Sequence, residues 1–154
     1  MRLRWTYAAR TIAECVPNVS FTLQPPSFDD IPAVTDKINA LFQGLDPDRI
    51  GELDIVIDEL MNNVISCGTE GVKKPVLNVD ARLIGGIAEL TFTDNCRLFN
   101  PLTQEDPDVG SDPKDRPEGG MGIYLSKTFS DSVAYRVFEG KNRLTVRKDL
   151  NREA

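Results

Sequence analysis

Apolar residues along this chain recur with two periods, and the change from one to the other divides it into elements. From about Asp48 to Cys67, Ile50, Leu53, Ile57, Leu60, Met61 and Val64 fall on one stripe at roughly 100° per residue, which predicts a helix with one buried face. Val19 to Leu23 alternates apolar and polar residues, the pattern of a half-buried strand. Pro25-Pro26-Ser27 breaks it, and Ser27 with Asp30 three residues on has the spacing of a capping box. Ile31, Val34, Ile38, Leu41 and Phe42 return to the helical period. Pro32 fits in the first turn, where its missing N–H has no partner to lose. Gly44 ends that helix, Asp46-Pro47 opens the next with a cap and a proline at the first helical position, and Gly68 closes it.

Beyond Gly68 the period falls to two. Leu77, Val79, Ala81 and Leu83 alternate with Asn78, Asp80 and Arg82; Gly85-Gly86 supplies a hairpin turn; Ala88, Leu90 and Phe92 share a face on the return. Asp94 lies on that apolar parity, so a carboxylate is aimed inward at the strand end. A buried acid needs a partner, and the other use of an Asp here is to cap a turn through its own backbone. From Asn95 to Glu118 there is no period. Four prolines (Pro101, Pro107, Pro113, Pro117) punctuate this stretch, and Glu105, Asp106, Asp108, Asp112, Asp115 and Glu118 outweigh Lys114 and Arg116. A loop longer than about 15 residues in a compact domain is a lid, a binding loop or disordered. Gly119-Gly120-Met121-Gly122 then leads into a short helix with Ile123, Tyr124, Leu125 and Phe129. Two last strands, Val133/Tyr135/Val137 and Leu144/Val146, are joined through Glu139-Gly140-Lys141-Asn142. The expected fold is an α/β two-layer sandwich, a mixed and mainly antiparallel sheet packed on helices. It forms one domain over residues 19–150, after a poorly specified N-terminal extension, 1–18.

Composition narrows the function classes. With 154 residues and 40% hydrophobic content the chain can bury a real core. No apolar run approaches the roughly 20 residues needed to span a bilayer, and no signal-peptide pattern opens it. Cys15, Cys67 and Cys96 are odd in number and widely spaced, which suits a reducing cytoplasm and not a disulfide framework. The absence of histidine removes His-based triads and the commonest zinc ligand. A net charge of −6 argues against nucleic acid or anionic membrane as a partner, although Arg2, Arg4 and Arg10 stand without an acid at the start.

Two features carry candidate chemistry. Glu59 and Asn63, at i and i+4, stand one above the other on a flank of the long helix. Together they offer a proton acceptor and an oxygen ligand for a hard cation, although such pairs are also common on solvated helix faces. The Gly-Gly-Met-Gly run lets backbone N–H groups close on an anion, though glycines before a helix are often only a turn. Its spacing matches neither the Rossmann nor the Walker pattern.

Taken in order, these features resemble the GHKL ATPases of the Bergerat, or histidine-kinase-like ATPase, fold, in which a helix carries E-x-x-x-N, a strand end carries D-x-G and a lid precedes a glycine-rich helix start. The anti-sigma-factor serine/threonine kinases are more similar still. Asp58-Glu59-Leu60-Met61-Asn62-Asn63-Val64-Ile65 is similar to their N box, and Asp94-Asn95-Cys96-Arg97-Leu98-Phe99-Asn100-Pro101 to their DNG-x-x-F-(D/N)-P segment. Gly119-Gly120-Met121-Gly122-Ile123-Tyr124-Leu125 is similar to their second glycine box. The likeness extends through the ending, Asp131 to Arg136 and Asn142 to Val146, and covers about Ser20 to Lys148.

The resemblance implies ATP and Mg²⁺ as cofactors, Glu59 as general base and Asn63 as Mg²⁺ ligand. Asp94 would accept a hydrogen bond from the adenine amino group. Gly119, Gly120 and Gly122 would cradle the phosphates, with Met121 between them and Cys96 beside Asp94 among the nucleotide contacts. Arg116, three residues before the glycine box, would reach for a terminal phosphate; its other use is as a surface residue of an acidic loop. Cys96 stands where the family usually carries glycine, which matters if the backbone there needs a positive φ. Cys67 stands where an aromatic or His is frequent. The implied acceptor is a serine on an anti-anti-sigma (STAS-like) protein, with a sigma factor and a second copy of the chain as further candidate partners. Two other functions compete: a non-catalytic module that only binds its partner, and a detached ATP-binding domain of a sensor histidine kinase.

Overall fold

A computed structural model describes residues 16–108, 110, 112, 114 and 120–153. The first strand, β1 (Asn18–Leu23), buries Val19, Phe21 and Leu23 on one side, as its alternation requires. Asp29 N donates to Ser27 Oγ at 3.3 Å and Ser27 N donates to Asp30 Oδ2 at 2.9 Å, so the capping box forms. It caps a 3₁₀ turn (Phe28–Asp30) that runs straight into α1 (Ile31–Asn39), with Pro32 in the first turn. Another 3₁₀ turn, Ala40–Phe42, and Gly44 at φ 83° end this unit. The next helix, α2 (Pro47–Asn63), begins with Asp48 N donating to Asp46 Oδ1 at 3.0 Å. The helix expected to continue to Cys67 changes at Val64: from there to Gly68 the backbone widens into a π-helical turn. Such turns recur at functional sites, and this one borders the cavity described below.

The sheet contains β2 (Leu77–Ile84), β3 (Ile87–Asp94), β4 (Ser132–Phe138) and β5 (Lys141–Asp149) in the order β1-β2-β3-β5-β4. All four pairings among the described residues are antiparallel, so the sheet expected to be mainly antiparallel is wholly so there. The chain leaves β3, passes through the loop and α3 (Met121–Phe129), and returns as the β4–β5 hairpin. Because β5 inserts beside β3, the parallel-running β4 never touches it. Among the described residues the sheet is open, with β1 and β4 at its edges.

Parity sorts the two faces. Val19, Ala81, Leu90 and Val146 form one inward row and Phe21, Val79, Phe92 and Leu144 the next, all buried against the helices. Leu53, Val56, Ile57, Leu60 and Met61 supply the facing stripe of α2, with Ile123 from α3. A buried cation joins the layers. Lys148 Nζ donates to Glu52 Oε2 of α2 and to Phe129 O at the end of α3, each at 2.6 Å, where a positive charge also suits the helix dipole. Among the described residues, no helix is long and apolar enough to cross a membrane.

The β2–β3 hairpin turns through Gly85 at φ 57° and Gly86 at φ 81°, the paired left-handed residues of a type I′ turn. A Cβ on Gly86 would also run into the Asn151 carboxamide, whereas Gly140, at φ 75°, has open space. Gly86→Ala is therefore expected to destabilise by more than the roughly 1–2 kcal/mol of left-handed strain that Gly140→Ala costs. Chemical denaturation of both variants checks this; equal losses would remove the Asn151 contact from the account.

Candidate functional site

The last inward row of the sheet, Leu77, Asp94, Asn142 and Val137, sets two polar side chains next to each other at its centre. Asp94 and Asn142 are each 8% exposed. Asn142 Nδ2 donates to Asp94 Oδ1 and to Arg97 O, both at 2.9 Å. Its Oδ1 accepts from Phe99 N at 3.0 Å and from the Tyr135 hydroxyl at 2.5 Å, so the carboxamide uses both donors and both acceptor sites. Asp94 Oδ1 also accepts from Cys96 N at 3.0 Å. The inward carboxylate and the turn cap, alternatives in the sequence, are thus one side chain doing both.

Cys96 settles into this corner without strain. Glu139 is the one non-glycine with positive φ among the described residues, so position 96 does not need glycine's freedom. The Cys96 side chain packs over Gly68, whose own Cβ, if present, would stand 3.5 Å from Cys96 Cβ and Sγ. Burial, then the charge of Asp94 and a hydrogen bond to it, push the thiol up to about 11. At neutral pH it is an uncharged donor to the carboxylate.

Around this corner opens a cavity of about 410 Å³, a size usual for small-molecule sites. Phe92, Leu144 and Tyr135 form the floor, and Leu60, Asn63, Val64, Cys67 and Gly68 the α2 wall. Gly120 and Ile123 close the α3 side, with Arg97, Phe99, Pro101 and Gln104 at the rim. The rim belongs to the loop after β3, where Leu102 N donates to Asn100 Oδ1 at 2.9 Å and caps a 3₁₀ turn, Pro101–Thr103. Further along, an ion pair between Asp106 and Lys127 attaches the loop to α3.

The α2 pair meets the start of α3. Glu59 lies against Gly122, where an added Cβ would stand 2.5 Å from Glu59 Oε2 and would shift the carboxylate from its place. Asn63, one turn later, is exposed, lines the cavity and has no hydrogen-bond partner among the described residues. Its neighbour Asn62 turns back on its own helix, donating from Nδ2 to Asp58 O at 2.8 Å. Gly120 is the N-cap of α3 at φ 82° and offers no side chain to the first amides. Met121 is half-buried and, like Glu59 and Gly122, stands beside the cavity and not in its lining. Arg116 and Gly119 lie outside the described residues. Glu59, Asn63, Asp94, Cys96, Gly120, Met121 and Gly122 therefore come together at one end of the molecule. Asn142 and Tyr135 belong to none of the site motifs, although the parity that turns Asp94 inward also puts Asn142 in phase with Leu144 and Val146.

Burial raises the Glu59 carboxyl above its ordinary range, and the charge of Asp58 adds to the shift. The sign follows directly. A folded-state pKa above the unfolded value means the stability associated with Glu59 is intact below about pH 4.5 and is lost as pH rises through the folded value. Glu59→Gln is expected to raise the melting temperature at pH 7 and to leave it nearly unchanged at pH 4. A gain of the same size at both values would contradict the burial argument.

Comparison with known proteins fits this geometry. The model of the histidine kinase-like ATPase domain matches residues 25–148. Among solved structures, the RsbU and RsbW domains of Rv1364c from Mycobacterium tuberculosis are similar at a TM-score of 0.60 and 16% identity. The match covers 90% of this chain and 34% of that one, so this chain spans about a third of the solved two-domain chain, and at this identity the likeness is one of fold. No curated protein matches significantly in sequence.

Proposed function

The chain belongs to the histidine kinase-like ATPase family, and from that premise we propose that it is an ATP-dependent protein-serine kinase of the anti-sigma regulatory type. The observation that carries this reading is the convergence of Glu59, Asn63, Asp94 and the Gly120–Gly122 helix start around one cavity. When bound, ATP with Mg²⁺ supplies the transferable phosphoryl group and its counter-charge. The site's donors and acceptors suit that group. Asp94 offers a buried, fixed acceptor for an amino group on a flat base, and the apolar floor beside it suits the base's faces. The uncapped amides of α3, behind a left-handed Gly120, suit phosphate oxygens. Asn63 offers the protein oxygen for a cation. Among the described residues no cluster of three His, Cys, Asp or Glu could hold a metal, which fits a cation ligated mainly by phosphates and water.

Glu59 Oε2 takes the proton of the attacking hydroxyl, and its raised pKa brings it closer to the operating pH of a base. In this reading the hydroxyl belongs to a serine of an anti-anti-sigma (STAS-like) protein. A sigma factor and a second copy of the chain are its further partners, and the cytoplasm its compartment. The test is transfer of label from γ-labelled ATP to a candidate STAS-like partner, with the modified residue mapped. Label on a serine supports the kinase; tight partner binding without label would make the domain a non-catalytic module.

A metal ligand and a base should fail differently. Asn63→Ala is expected to weaken nucleotide binding in the presence of Mg²⁺ by about tenfold and to raise the Mg²⁺ needed for transfer. Asn62→Ala, which removes only a bond to its own helix, should leave both unchanged. Titrations of ATP at several Mg²⁺ concentrations separate the two; equal behaviour of the variants would remove Asn63 from the metal.

A further inference from the structure

The outer face of the sheet, opposite the helices, carries a second groove of about 460 Å³. Its floor is small and uncharged: Thr91, Thr145 and Ala134 form one cross-strand row. Arginines stand at both ends of it. At one end, in the row Arg82–Glu89–Arg147, both arginines share one acid, with Arg82 Nη2 and Arg147 Nε each 2.6 Å from Glu89. At the other end the row reads Asn78–Thr93–Arg143–Arg136 and contains no acid. Arg143 and Arg136 are directly opposite across the β4–β5 ladder, a like-charge pairing that destabilises a sheet.

Neither of these two arginines has an ion-pair partner among the described residues. Both are nevertheless held in place. Arg143 Nε donates to Thr93 Oγ1 at 3.2 Å and its guanidinium lies 3.6 Å from the centre of the Phe138 ring; Arg136 lies 5.1 Å from the same ring. Fixed, unpaired guanidinium groups lose little freedom when an anion arrives. Arg136 stands on β4, the edge strand of the sheet among the described residues, where Val137 is 52% exposed on the opposite parity, and Arg143 stands beside it on β5.

We propose that the β4 rim of this groove docks an extended, carboxylate-bearing segment of a protein partner, whose acids complete the row at Arg136 and Arg143. An added strand pairs its backbone with the free edge, and its side chains alternate. Acids at every second position meet the arginines, and apolar residues between them meet Val133 and Val137. The edge favours a protein over a nucleic acid, which has no backbone amides to pair there. A net charge of −6 also repels a long polyanion more than a short acidic segment.

The probe is a short fluorescent peptide alternating glutamate and valine, with a lysine–valine peptide and a single-stranded oligonucleotide as controls. The expected result is binding of the glutamate peptide alone, weakened at least about tenfold in an Arg136→Gln/Arg143→Gln variant and by raised salt. Amide shifts should concentrate in β4 and β5, and the variant should bind ATP as the parent does. Arg136→Gln alone should raise the melting temperature, because it removes one of two opposed charges while Arg143 keeps its contacts. The proposal is overturned by unchanged peptide affinity in the double variant, by preference for the oligonucleotide, or by a fall in stability on Arg136→Gln. It is equally overturned if the double variant abolishes self-association and no peptide binds, which would assign the face to a second copy of the chain.

Discussion

Glu59→Gln is expected to bind ATP nearly as the parent does and to transfer phosphate to a partner serine about 10²–10⁴ more slowly. Glutamine keeps the size of the side chain and its place against Gly122 but cannot hold a proton, so the loss measures the general base alone. The effect should appear in single-turnover transfer and not in nucleotide affinity. Gly122→Ala offers an independent check, because its Cβ would occupy the place of Glu59 Oε2 and displace the carboxylate without altering it. A substantial part of the loss should follow there too. Transfer at the parent rate in Glu59→Gln would show that another group, or none, removes the proton.

Asp94→Asn is the second large effect, expected to weaken ATP by about 10–100-fold, the range for losing a charged hydrogen bond in a buried site. Its direction follows from the partners of the side chain. Cys96 N and Asn142 Nδ2 both donate to Oδ1, so an asparagine would place its carbonyl there. Its NH₂ would then take the place of Oδ2, donor against the donor of an adenine amino group. A guanine nucleotide, with an acceptor at that position, should be bound no worse than by the parent. Calorimetry with both nucleotides decides the matter. A uniform loss for ATP and GTP would mean that Asp94 supports the fold of the corner and does not read the base.

Periodicity made most of the fold legible because it reports burial directly. The stripe of α2, the parity of β1, β2 and β3, and the Gly85-Gly86 turn are all recovered. What it left unread is long-range. No local pattern says that β5 inserts between β3 and β4, because that order is fixed by pairing across the sheet. Nor does the apolar stripe show that helical geometry changes at Val64, since Val64, Ile65 and Cys67 read equally well in either kind of turn. The site divides in the same way. Glu59 and Asn63 share a helix flank and Asp94 has strand parity, so each could be placed from its own element. Asn142 looked like turn chemistry, and its place beside Asp94 comes from a strand pairing 48 residues away. The concern over Cys96 came from an assumed backbone conformation that the structure does not adopt.

One cavity, walled by α2, the start of α3 and the polar end of the sheet, is the proposed nucleotide site. The most direct measurement is a titration of isotopically labelled protein with ATP and Mg²⁺, followed by amide chemical shifts. The account predicts that the largest shifts fall on Asn63, Asp94, Cys96, Gly120, Gly122 and Asn142, with the adenine end separable by adding adenosine alone. Shifts confined to the arginine groove of the outer face, or no saturable shifts at any nucleotide concentration, would contradict it.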